Sequence, residues 1–297
     1  MRTINNWAVT SYGYSASRWL SYVLASNHDV YVAHGTYAFD SIVTGDYFKE
    51  KELAKNKVEN LDALTKGREL IAQIKSSSLT DLYSHYHELY PDYKSYGNVH
   101  SYVCRELFYK KDYEVVKPST FHLMRDPICF IESHSSGVIS AEKTTELKEA
   151  YQKFFTLFIE RFPEIVACNW FDRNSLEQKA FLLSVYTLHN IAQDEIRYGP
   201  QMQTIHMEKA ISNIQYLRDT CEAITLHEYD INTLQTYVDG GAVNNHRNKN
   251  NSINSHKIFA NWKAWQHQAF DFIIEQKNYA QCFHKMGYKW KADVTTF

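Results

Sequence analysis

The chain has 297 residues, 44% hydrophobic and 15% aromatic, which is ample material for one substantial core and excludes a disordered polypeptide. Lys and Arg number 32 against 34 Asp and Glu, so the basic excess of a duplex-binding protein is missing and no nucleic-acid partner is expected. Only 5 Pro and 10 Gly are present and no linker-like stretch separates two halves, so residues 1–297 read as a single domain.

The first predicted element is a buried strand at Trp7-Ala8-Val9-Thr10, a short apolar run ending in small polar residues. Nothing from Met1 to Val9 has the long apolar run or cleavage pattern of a secretory leader. Nowhere do 18 uncharged apolar residues follow one another, so the expectation is a cytoplasmic protein without a membrane span. Ser11 to Ser17 forms a loop, and Trp19, Leu20, Val23 and Leu24 then recur at helical spacing. Val30-Tyr31-Val32-Ala33 follows as a second strand, completing a parallel βαβ unit.

From Glu52 to about Tyr90 the apolar residues again keep helical spacing, with a break at Gly67 and a stop at Pro91. A third strand is expected at Thr120–Met124, running directly into Arg125-Asp126-Pro127. Amphipathic helices follow: one carrying Leu147, Tyr151, Phe154, Phe155, Phe158 and Phe162, others near 175–197 and 204–218. Ala223 to Tyr229 reads as a fourth strand, Gly240 to His256 as a polar loop, and a last helix holds Trp262, Trp265, Phe272, Ile273 and Phe283. Strands separated by helices give an α/β fold with a central parallel sheet flanked by helices. The five cysteines, Cys104, Cys129, Cys168, Cys221 and Cys282, lie far apart with no CxxC pair. That spacing favours reduced thiols and no metal site.

Two segments carry chemistry. A loop between a buried strand and a helix is an anion site, because the helix's first amides point outward without partners. In Thr10-Ser11-Tyr12-Gly13-Tyr14-Ser15-Ala16-Ser17-Arg18-Trp19-Leu20, Gly13 permits a tight turn and Ser15 and Ser17 supply hydroxyls. Small Ala16 lets amides approach a phosphate, and Arg18 adds a charge in the first helical turn; a Ser-rich N-cap before an ordinary helix accounts for the same residues. The GxxxxGK[ST] pattern of kinases and ATPases is absent. In the second segment Arg125 leaves a strand and Ser133 lies eight residues later on the following helix, so a guanidinium fork and a hydroxyl can meet one phosphate. The alternative there is a surface Arg paired with Asp126.

With both segments in view, the sequence resembles the sulfotransferases that use 3′-phosphoadenosine 5′-phosphosulfate (PAPS). That family carries a strand-1 loop of the type [YP]-[KR]-S-G-[ST]-[ST]-W-L for the 5′-phosphosulfate and R-[DN]-P-x5-S for the 3′-phosphate. Gly13 to Leu20 matches the first in part, and Arg125-Asp126-Pro127 through Ser133 matches the second fully. Tyr96-Gly97-Asn98-Val99-His100 stands where many members place a catalytic His, and Leu226 to Ile231 resembles the late strand that often reads Y-E-D-L. Trp262-Lys263-Ala264-Trp265 and Met286-Gly287-Tyr288 are similar to the closing helix, with Arg247 and Lys249 ahead of them as the basic 3′-phosphate loop.

The resemblance implies a P-loop NTPase-like sulfotransferase architecture with helical insertions at roughly 44–95 and 140–218. It also implies PAPS as co-substrate without a metal, and a small-molecule or glycan acceptor. It places Gly13, Tyr14, Ser15, Ala16, Ser17, Arg18 and Trp19 around the 5′-phosphosulfate, and Arg125, Ser133, Arg247 and Lys249 around the 3′-phosphate. His100, Arg18 and Tyr14 take the catalytic positions, with Glu228 a substitute base. The departure is Tyr14, where the family has Lys or Arg: tyrosine supplies no positive charge, and Arg18 is the candidate to provide it. From that departure follows a second function class, a catalytically impaired nucleotide-binding or scaffold protein of the same fold.

Overall fold

The computed structural model describes residues 4–34, 83–84, 86–88, 90–99, 119–143, 145–198, 202–240, 255–275 and 278–291. In chain order the first elements are β1 (Asn5–Thr10), α1 (Ser17–Leu24), β2 (Val30–His34), β3 (Ser95–Val99) and β4 (Ser119–Met124). Next come α2 (Pro127–Ala141), α3 (Thr145–Arg161), α4 (Pro163–Val166), α5 (Leu176–Tyr198) and β5 (Gln203–His206). The remainder is helical: α6 (Met207–Ser212), α7 (Ile214–Thr225), α8 (Ile231–Gly240), α9 (Ser255–Ala260), α10 (Ala264–Phe270) and α11 (Ala280–Lys285). A π-helical turn, Asp271–Glu275, continues α10. The chain divides into two compact units, Met1–Met124 with Gln201–Arg247, and Arg125–Pro200 with Asn248–Phe297.

The first unit holds the sheet. Its five strands run in the order β2-β3-β1-β4-β5 and every pairing is parallel, so the chain has an α/β fold built on a parallel sheet. From Trp7 to Thr10 every residue of β1 is buried, as an interior parallel strand with both faces covered requires. Trp7 and Val9 of β1, Val30 and Val32 of β2, and Phe121 and Leu123 of β4 form one core with Trp19, Leu20 and Val23 of α1 and Leu217, Cys221 and Ile224 of α7. Every residue of α1 except Arg18 is buried, the two serines Ser17 and Ser21 included. On the face opposite Val30 and Val32, Tyr31 stacks on Tyr90 with ring centroids 4.7 Å apart, and the Tyr83 hydroxyl donates to the Trp7 carbonyl.

The strand inventory differs from the sequence reading in three places. β3 stands where the sequence reading assigned no strand, only the segment Tyr96 to His100 that the resemblance singles out. Gly97 sits there because its register partner on β1 is Trp7, whose indole occupies the space a Cβ would need. Trp7 Nε1 then donates to Ser95 Oγ at 2.9 Å, and Asn98 Nδ2 to the Tyr86 hydroxyl at 3.2 Å. Accordingly β1 and β2 are parallel but not neighbours, since β3 lies between them.

The segment expected to be one helix at 204–218 opens with β5, so the helical region proposed for 140–218 contains a strand. α6 and α7 are separated at Asn213, whose Oδ1 accepts from Tyr216 N at 3.0 Å and caps the new helix. Ala223 to Tyr229, expected as a strand, is the last turn of α7 and a loop. Leu226 ends the helix in the left-handed conformation at φ 60°, and the Tyr229 hydroxyl returns to the Leu24 carbonyl at 2.7 Å. A short apolar run cannot announce its period, and here Ile224 reaches the core from a helix rather than a strand.

The second unit is helical among the described residues. α2 packs along α5, Phe155 stacks on Phe158, which meets Phe162 at a tilt, and Phe181 meets Trp262 edge-on with centroids 5.1 Å apart. The single closing helix expected around Trp262 to Phe283 is instead α9, α10, the π-helical turn and α11. Trp262 lies in the turn before α10, where Gln266 Oε1 accepts from Lys263 N at 2.8 Å and starts the helix afresh. Cys129 and Cys221 are buried free thiols, Cys168 and Cys282 are half-buried and free, and Cys104 lies outside the described residues. No described helix is long and apolar enough to cross a membrane.

Candidate functional site

β1 and β4 are neighbours at the centre of the sheet, with Thr10 paired to His122. From β1 the chain proceeds through α1 to β2 on one side of the sheet, and from β4 it proceeds to β5 on the other. In parallel sheets the crevice outside the carboxyl ends of two such strands is where ligands bind. The loop 11–16 starts at one of those two ends and Arg125 follows directly from the other.

In the loop, Thr10, Ser11, Tyr12 and Gly13 are buried and the backbone reverses hand twice. Gly13 (φ 77°) and Tyr14 (φ 51°) are left-handed, Ser15 is not, and Ala16 is again, at φ 56° and ψ 27°. Such alternation turns successive N–H groups toward one side and forms a concavity that suits an anion. Side chains brace it: Gly13 N donates to Ser11 Oγ at 3.1 Å, and Ser15 Oγ donates to the Gly13 carbonyl at 3.0 Å. A non-glycine residue in this region costs roughly 1–3 kcal/mol, and two of them stand within three positions.

The helix entered from this loop has neither a side-chain cap nor an acidic residue in its first turn. Its amino end therefore keeps the partial positive charge of the helix dipole unopposed by its own side chains. Ser15 and Ser17 are 3% and 6% exposed, Tyr14 and Arg18 half-buried. Trp19 belongs to the core and its Nε1 donates to the Tyr237 carbonyl at 3.0 Å, so its indole is part of the scaffold behind the loop.

The Arg–Ser element opens the second unit. Arg125 is half-buried, and Asp126 is the N-cap of α2, its Oδ1 accepting from Ile128 N and Cys129 N, both at 3.0 Å. Pro127 occupies the first helical position, where its missing N–H costs nothing. Ser133 is half-buried two turns along α2. Glu132 beside it accepts from Trp262 Nε1 at 3.1 Å, and His134 on its other side lies 2.8 Å from Ser184 Oγ. Burial holds the His134 imidazole far below its usual range, at about 3, so the ring is neutral at physiological pH.

His100, Arg247 and Lys249 lie outside the described residues; His100 is the residue after Val99, with which β3 ends. Glu228 is in the loop between α7 and α8, and its carbonyl accepts from Asn27 Nδ2 at 2.8 Å. Two features of the site escaped sequence reasoning: the left-handed Tyr14 and Ala16, and the tethering of both neighbours of Ser133. A Ser two positions before a Gly was the available signal for the first, and the second has no local signal.

No protein-family model matches the chain, and no curated protein matches it. Among solved structures, the sulfotransferase domain from the Synechococcus PCC 7002 olefin synthase is similar over 97% of this chain and 97% of its own, at 12% sequence identity and a TM-score of 0.44.

Proposed function

We propose that the chain binds 3′-phosphoadenosine 5′-phosphosulfate at the β1–α1 loop and transfers its sulfuryl group to a hydroxyl or amine of a small-molecule or glycan acceptor in the cytoplasm. The observation that carries this reading is the doubly reversed loop Gly13–Ala16 entering a helix with no cap of its own, at the reversal point of the sheet. PAPS supplies an activated sulfur–oxygen bond, and the protein's part is positioning and electrostatics. Amides of Ser15 to Arg18 bind the 5′ end, and Arg18 offsets negative charge there. Arg125 and Ser133, with Arg247 and Lys249, hold the 3′-phosphate, as the motif resemblance assigns them. His100 takes the acceptor's proton, a task suited to imidazole near neutral pH.

One observation favours a second reading. Tyr14, where the resemblance asks for a cation, is held left-handed and half-buried and brings no positive charge to the loop. A nucleotide-binding or scaffold protein with impaired catalysis fits that feature.

Calorimetric titration with 3′-phosphoadenosine 5′-phosphate tests the binding, beside Arg125→Ala and with ATP–Mg²⁺ as control. Micromolar affinity that Arg125→Ala weakens more than about tenfold, near 1.4 kcal/mol, supports the nucleotide site. Equal binding by the variant, or none by either, removes the nucleotide from the account. Sulfate transfer from PAPS across an acceptor panel then separates the enzyme from the impaired binder.

A further inference from the structure

Ser133 is bracketed by tethers. Successive residues of a helix point about 100° apart, so Glu132, His134 and Ser135 all point toward the half of α2 that Ser133 does not. Each of the three is hydrogen-bonded within the second unit: Glu132 to Trp262 Nε1, His134 to Ser184 at 2.8 Å, and Ser135 to Ser184 at 2.9 Å.

The proton inventory orders this cluster. Ser184 has one hydroxyl proton, and its closest contact is the Ala180 carbonyl at 2.7 Å, which can only accept. With that proton committed, Ser184 Oγ accepts from His134 Nδ1–H at 2.8 Å and from the Ser135 hydroxyl at 2.9 Å, a contact shorter than that hydroxyl's 3.4 Å approach to the Ala180 carbonyl. His134 is 3% exposed and Ser184 fully buried. An apolar contact between α2 and α5 tolerates small rotations, whereas two directional bonds converging on one oxygen do not.

We infer that His134 and Ser184 are positioning residues that fix the rotation of α2 and thereby the bearing of Ser133 on the 3′-phosphate of a bound nucleotide. This rests on the assignment of Ser133 made above. The readout is the preference for 3′-phosphoadenosine 5′-phosphate over adenosine 5′-phosphate, two probes that differ only in the group Ser133 is assigned to hold.

The experiment compares both nucleotides by calorimetry on the full chain and on Ser184→Ala, His134→Leu, His134→Asn and Ser133→Ala, with a melting curve for each. Ser184→Ala changes little volume and keeps the test open where His134→Leu fails to fold. Ser184→Ala is expected to lower the 3′-phosphate preference about fivefold while affinity for adenosine 5′-phosphate stays within about twofold. His134→Asn, whose amide N–H can replace Nδ1–H, retains the preference. The Ser133→Ala/Ser184→Ala double variant is expected to be no worse than Ser133→Ala alone, since Ser184 acts through Ser133. An unchanged preference in a folded Ser184→Ala protein overturns the positioning role, as do strictly additive losses in the double variant. Should the unaltered protein show no preference, or Ser133→Ala leave it intact, the Ser133 assignment itself falls and the positioning role with it.

Discussion

Two helices of this chain begin just beyond the carboxyl end of a central strand, and their beginnings are built in opposite ways. At α2 the chain moves from β4 through Arg125, and Asp126 immediately folds its carboxylate onto the amides of Ile128 and Cys129. At α1 six residues intervene after β1, two non-glycine positions take left-handed backbone, and no side chain caps the helix. The first arrangement satisfies the helix end from within the chain and neutralises its dipole. The second accepts local strain and leaves the positive end to whatever anion enters. The contrast separates a helix start closed by its own side chain from the one that the proposed function assigns to a ligand.

The largest test of this contrast uses acid. The unfolded chain takes up a proton on His134 near the usual 6.5, whereas the folded protein refuses it until about 3. Stability from this group is therefore complete above 6.5 and lost as pH falls through that window, on the order of 1.4 kcal/mol per pH unit. In urea unfolding followed from neutral to acid pH, His134→Asn is expected to flatten this acid limb. An acid limb as steep as that of the unaltered protein breaks the picture of a neutral imidazole locking α2.

A smaller effect is expected from Asp126→Ala, which strips the cap from α2 and lowers stability by about 1–2 kcal/mol in urea unfolding. No loss would mean that the capped end is not held by its carboxylate. Smallest, and opposite in sign, is Ala16→Gly, which relieves the left-handed residue before α1 and is expected to stabilise the ligand-free protein by about 1 kcal/mol. Destabilisation instead would show that the loop is not strained and would erase the contrast.

Much of this geometry was legible in the residues. Trp7-Ala8-Val9-Thr10 announced a buried strand, Val30-Tyr31-Val32-Ala33 a second strand, and Asp126-Pro127 a helix start. Each of those signals is local: an apolar run, a capping side chain, a fixed proline φ. β3 was not legible, because Gly97 answers to an indole 90 residues earlier in the chain. Nor was the strand expected at Ala223–Tyr229 corrected by anything nearby, since Ile224 and Tyr229 take their places from packing against α1 and β1.

By itself, then, the sequence determined the α/β class, the strand–loop–helix at Trp7 to Leu24 and the Arg125-Asp126-Pro127 turn into a helix that carries Ser133. These depend on periodicity and capping, which act over a few residues. Tertiary structure alone decided the order of the strands, the burial of Trp19 in the core, the reversed hand of Tyr14 and Ala16, and the three tethers around Ser133. Each of these depends on groups distant in the chain competing for the same space or the same hydrogen bond, and no local pattern records the outcome of that competition.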